Sequence, residues 1–146
     1  MRQRRTRVIL CDCFFGSVVA AEGHHIIVLI VVEAALINPE VIKTEGKIKV
    51  DYEGSLSVPV IYGLVPRPTK AKIKAQLEDG TEVRIKVEQD LARVLLHEID
   101  HLNGILFIDH IKDQTDAFYK LNDKGDLEPV DYDKEIKNNK KLFPDE

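Results

Sequence analysis

Alternation of apolar and polar residues is clearest between Lys70 and Val87. Ala71, Ile73, Ala75 and Leu77 alternate with Lys70, Lys72, Lys74 and Gln76. Asp79-Gly80 then supplies a turn whose residues tolerate positive φ, and Val83, Ile85 and Val87 return with the same period of two. This predicts a β-hairpin with one buried face. Near Gln89 or Asp90 the period lengthens to 3.6. Leu91, Val94, Leu95 and Leu102 mark the buried stripe of a helix, and Gly104 is a natural stop just past Asn103. Upstream, Lys47 to Tyr52 alternates with Ile48, Val50 and Tyr52 on one face, which predicts a half-buried strand. The β-branched run Ile26 to Val32 fits a strand covered on both faces. Ile37-Asn38-Pro39 punctuates the chain, and Pro59, Pro66 and Pro68 are expected in loops or at edges.

The 146 residues suit one domain, with residues 1–34 as an atypical or truncated beginning and 112–146 as a polar tail. That last zone has few apolar anchors and is expected to be solvated. With 44% hydrophobic and 32% charged residues, disorder and a multispanning membrane protein are both excluded. The net charge of −4 argues weakly against a general nucleic-acid binder, whose domain should be basic, and no specific nucleic acid is expected as a partner. Arg2, Arg4, Arg5 and Arg7 precede the apolar run Val8 to Ala21, as in a signal peptide, but Asp12 inside that run opposes this. Cys11 and Cys13 are too close for an ordinary disulfide. The expected location is therefore the cytoplasm, without a membrane, or an organelle if the basic start is a targeting segment.

Candidate chemistry lies on the predicted helix, at His97-Glu98-Ile99-Asp100-His101. Four residues rise about 6 Å and turn the second imidazole about 40° from the first, so both share one face. Two neutral imidazoles so placed suit a divalent transition metal, and the adjacent Glu98 suits proton transfer at a metal-activated water. This is the H-E-x-x-H arrangement. The bland alternative is an amphipathic helix whose buried histidines are satisfied by hydrogen bonds. His24, His25 and His110 show no comparable spacing. A third ligand must come from elsewhere: His110 does not fall at the metzincin spacing after Gly104, and the acidic tail offers a thermolysin-like Glu only by abundance.

Glu53-Gly54-Ser55-Leu56-Ser57-Val58-Pro59, followed by Val65-Pro66-Arg67 and then His97-Glu98-Ile99-Asp100-His101-Leu102-Asn103-Gly104, resembles the second and third motifs of the peptide deformylase family. The resemblance extends over roughly 35–111. It implies an α+β fold, with antiparallel β-sheets packed around a central helix carrying the histidines. It implies removal of the formyl group from formyl-methionyl nascent peptides, a step of protein biosynthesis and N-terminal methionine processing, with the ribosome as a further partner. One divalent metal, Fe²⁺ in the family and replaceable by Zn²⁺, Ni²⁺ or Co²⁺, would be held by His97, His101 and the residue at position 55. Glu98 would carry the proton, and the backbone N–H of Leu56 would hold the oxyanion. Gly54 and Val94 would face substrate, while Glu53 and Arg67 would form a structural ion pair.

Three departures qualify these expectations. The family's metal-binding Cys is Ser55 here, and a neutral hydroxyl is a weak ligand for such metals. The first motif, Gly-x-Gly-Leu-Ala-Ala-x-Gln in the family, is degenerate at Gly16 to Gly23, and its Gln position falls on Gly23. Losing an oxyanion donor typically costs about 10²–10³ in rate. Few residues precede that motif, and Val60 replaces a frequent Gly. Cys11 or Cys13 as a substitute thiolate is the less economical idea. The expected function is a deformylase-like metallohydrolase of reduced activity. The alternative is a catalytically inactive deformylase-fold protein that binds peptide. An unrelated H-E-x-x-H protease lacks a third ligand.

Overall fold

Strand-forming sequence dominates the chain, and one amphipathic helix interrupts it. The computed structural model describes residues 8–13, 16–21, 24–29, 34–137 and 139–143. Its strands are β1 (Val8–Cys13), β2 (Gly16–Ala21), β3 (His24–Leu29), β4 (Ala34–Ser55), β5 (Val58–Gln76), β6 (Glu82–Glu88), β7 (Phe118–Leu121) and β8 (Leu127–Pro129). The helix α1 covers Gln89–Leu102, and a 3₁₀ turn covers Phe107–His110. Sheet neighbours run β1-β2-β3-β4-β5-β7-β8, with β6 also on β5. The pairs β1–β2, β2–β3, β3–β4, β5–β6, β5–β7 and β7–β8 are antiparallel. The fold class is α+β. The chain divides into two compact units: residues 1–49 with 67–105, and residues 50–66 with 106–146.

The first unit contains the predicted hairpin. Gln76 pairs with Glu82 and Lys70 with Glu88, so the turn falls around Asp79-Gly80. Gly80 takes a φ of 84° there, which a β-carbon would disfavour. Ala71, Ile73, Ala75 and Val87 are buried in one cluster with Ala92, Leu95, Leu96 and Ile99 of α1, and Val83 and Ile85 pack partly against it. The sheet's apolar face is thus closed by the helix's apolar stripe. Leu91, expected in that stripe, is 47% exposed. It lies in the first turn, at the edge of an arc centred on Ala92, Leu95, Leu96 and Ile99.

Two other expectations are corrected. Pro59, Pro66 and Pro68 all lie inside β5 rather than in loops. Each falls outside the pairings of β5 with β7 (Ile61 to Gly63) and with β6 (Lys70 to Gln76), so those ladders lose no N–H donor to them. Ile48 and Val50 of β4 are 63% and 57% exposed, and Tyr52 is exposed as well. Alternation distinguishes two faces of a strand but does not decide which one is covered.

The second unit draws its core from sequence that looked like a tail. Val58, Ile61, Val65, Phe107, Ile108 and Ile111 are buried together with Ala117, Phe118 and Ile136. Residues 112–146 are therefore not simply solvated: β7 pairs with β5 and β8, and Ile136 is fully buried. A few apolar side chains at the right register anchor an otherwise polar segment. The strand expected over Ile26 to Val32 is found as His24–Leu29. The side chains of Cys11, Cys13 and the degenerate first motif, and Gly23 itself, lie outside the described residues.

Candidate metal centre

Helix α1 starts without a side-chain cap, since Glu88 is extended and its carboxylate does not bond the first turn. β4 ties down that end instead. Lys49 pairs with Asp90 at 3.3 Å, and its carbonyl accepts from the Arg93 guanidinium at 2.6 Å. The other end closes as the sequence indicated. Asn103 donates its side-chain amide to the Ile99 carbonyl at 2.9 Å, Gly104 takes a φ of 77°, and the Ile105 N–H bonds the Asp100 carbonyl at 2.9 Å. These contacts satisfy carbonyls that a helix end leaves orphaned.

The last turns hold His97, Glu98 and His101, all buried, with Glu98 at 0% exposure. The Nε2 atoms of His97 and His101 face each other at 3.0 Å, with rings nearly perpendicular at 82°. Such a pair has two chemical readings. One nitrogen can donate its proton to the other, or both can present lone pairs to one cation. Two nitrogens bound to a tetrahedral metal at 2.0–2.1 Å would lie about 3.3 Å apart, so the observed spacing fits two positions of such a site. Among the described residues no group of three or more His, Cys, Asp or Glu is arranged to hold a metal.

Arg67 supplies a contact that the motif reading missed. Its guanidinium meets the Asp100 carboxylate at 2.6 Å, and both side chains are largely buried, at 6% and 19% exposure. Asp100 lies between the two histidines in sequence, so β5 grips the helix at the turn that carries them. The signal was present in the Asp of His-Glu-x-Asp-His, but spacing alone names no partner. Val94 is on the same helix, one turn before His97, and is half-buried.

The remaining predicted residues belong to the second unit. Glu53 is buried. Gly54 lies against Tyr62, where an added β-carbon would come within 2.6 Å of the ring, so close packing explains this glycine. Leu56 and Ser57 form the turn between β4 and β5. The Ser55 hydroxyl accepts the Ser57 N–H at 3.2 Å, and Leu56 is exposed. Val60 just beyond has a φ of 62°, a region costly for a β-branched residue.

Comparison with known proteins identifies this assembly of parts. The polypeptide deformylase family model matches residues 15–117. The chain belongs to that family. Its members are metal-dependent hydrolases. The chain is 52% identical over 88 residues to a peptide deformylase of Thermomicrobium roseum, covering 60% of this chain and 49% of that protein. It also resembles the crystal structure of a Synechococcus elongatus peptide deformylase in complex with actinonin, with a TM-score of 0.54 and 38% identity over 60% of this chain and 48% of that one. A Met-Ala-Ser-bound peptide deformylase from Acinetobacter baumannii matches with a TM-score of 0.51 and 38% identity, over 53% and 48% of the two chains. The chain spans about half the length of the curated relatives it matches.

Proposed function

We propose that this deformylase-family chain removes the formyl group from formyl-methionyl nascent peptides at a reduced rate, in the cytoplasm. The observation that carries this reading is the buried His97–His101 pair at 3.0 Å with the wholly buried Glu98 beside it. His97 and His101 would hold one divalent metal, Fe²⁺ or one of its substitutes, and the family's third ligand position falls on Ser55. When bound, the metal supplies Lewis-acid chemistry, activating water and polarising the formyl carbonyl. The protein's own groups do the rest. Glu98, wholly buried beside the two histidines, would take the proton of the attacking water and deliver it to the departing amine. The Leu56 N–H donates to the developing oxyanion. Gly54 and Val94 border the peptide, a ligand class represented by the Met-Ala-Ser of the Acinetobacter baumannii structure.

Reduced rate follows from two substitutions. Ser55 replaces an anionic thiolate by a neutral oxygen, which weakens the hold on a borderline-soft metal. Gly23 offers no side chain to the oxyanion, which costs about 10²–10³. Metal content and turnover of formyl-Met-peptide, measured on this chain and on Ser55→Cys, test the proposal. The expected result is low metal occupancy and slow turnover, both raised by the cysteine. Stoichiometric metal and turnover that Ser55→Cys does not improve would overturn the ligand argument. Metal restored without turnover would favour the inactive, peptide-binding alternative.

A further inference from the structure

The solvent face of the β5–β6 hairpin carries like charges in direct opposition. β5 buries Ala71, Ile73 and Ala75 and turns Lys70, Lys72 and Lys74 outward. The register sets Lys72 opposite Lys86 and Lys74 opposite Arg84. Directly opposed β-carbons lie about 4.5–5.5 Å apart, and like charges there are destabilising. The same hairpin shows the favourable arrangement one step along, where Lys70 opposes Glu88 at 3.0 Å. β4 adds Lys43, whose partner Glu45 at 2.6 Å also reaches Lys72 at 3.6 Å. Glu82 serves both Lys74, at 3.1 Å, and Arg84, at 3.8 Å. Three carboxylates are therefore shared among five cations, and Lys86, the sixth, forms no ion pair among the described residues. This surplus of three positive charges sits on a chain whose net charge is −4.

We propose that this face binds the phosphate backbone of a nucleic-acid strand. Alternate residues of a strand lie about 6.7 Å apart and neighbouring strands about 4.8 Å apart, so the cations form a regular grid. A polymer with a phosphate at every nucleotide can meet several of these cations at once, whereas an isolated acidic side chain neutralises one of them. The outward positions of these two strands, Lys70 to Gln76 and Glu82 to Glu88, carry no aromatic or large apolar side chain. The face therefore has nothing to insert into a bilayer and no aromatic anchor of the kind enriched at protein interfaces. Contact with phosphates alone positions a strand without reading its bases. The ligand is expected to be bound without sequence preference.

The inference is independent of the deformylase reading, and its test uses the full chain without metal or substrate. Fluorescence anisotropy of a short fluorescein-labelled single-stranded RNA should show binding whose logarithm falls with log salt at a slope of about −2 to −3. That is roughly a 20- to 60-fold loss between 50 and 200 mM salt for three or four phosphate contacts. Lys72→Glu with Lys86→Glu should weaken binding at least tenfold, while Lys124→Glu in the other unit leaves it unchanged. Absence of binding at 50 mM salt would overturn the proposal, as would binding that the paired reversal leaves intact. Vesicles containing phosphatidylserine should bind much more weakly than RNA; equal or stronger binding would assign the face to a membrane and overturn the proposal too.

Discussion

Arg67 of β5 and Asp100 of α1 form a 2.6 Å ion pair at the helical turn that carries His97 and His101. Arg67→Met would leave a mostly buried carboxylate without this partner. Breaking a buried pair costs 3–5 kcal/mol, and the partial exposure of Asp100 lowers the expected loss to about 2–4 kcal/mol. Urea unfolding measures this directly. Adding Asp100→Leu should recover more than half of the loss, because the stranded charge is then gone. A loss below about 0.5 kcal/mol for Arg67→Met would show that the pair contributes little.

Glu98→Gln, made in the Ser55→Cys chain, should keep metal bound and lower turnover by about 10²–10⁴, the usual worth of a general acid–base group. The amide preserves size and burial but cannot accept and return a proton at neutral pH. Metal stoichiometry and turnover on formyl-Met-peptide are the two readouts. Unchanged turnover would remove Glu98 from the chemistry.

Val60→Gly should stabilise the chain. Left-handed backbone costs an L-residue roughly 1–2 kcal/mol, and the glycine alternative costs about 0.5–1 kcal/mol in chain entropy. Val60 is 60% exposed, so little packing is lost. The expected net gain is about 0.5–1 kcal/mol in urea unfolding. A net loss would mean that the valine side chain contributes more contact than its exposure implies.

The sequence made the hairpin, the helix and the two histidines legible because each is a local signal. The Asp79-Gly80 turn, the change of period near Gln89 and the Gly104 stop are written within a few residues. What it concealed is non-local. The partner of Arg67 lies 33 positions away, and a spacing pattern carries no information about it. Ile48, Val50 and Tyr52 alternate as a buried face would, yet burial depends on what another element covers. Phe118 and Ile136 anchor a polar segment because β7 finds a place on β5, which the composition of residues 112–146 does not reveal. Ser55 was legible as a missing thiolate, but not as the acceptor of the Ser57 N–H.

Gly63→Ala tests that concealed core. Gly63 lies on β5 where it pairs with Phe118, and an added β-carbon would meet the Ile111 Cδ1 atom and come within 3.0 Å of the Phe107 ring. Ile111 and Phe107 are themselves 1% exposed, so neither can swing into solvent. One methyl group must then be accommodated by off-rotamer side chains or a shift of β5. Overpacking of this kind costs about 1–3 kcal/mol, which outweighs the gain of up to about 1 kcal/mol from a less flexible unfolded chain. Urea unfolding should show a net loss, and Ile111→Val in the Gly63→Ala chain should return part of it by removing the Cδ1 atom that blocks the methyl. If Gly63→Ala is neutral, or Ile111→Val adds its full cost on top, the close approach of β5 to the Phe107–His110 turn does not constrain this position.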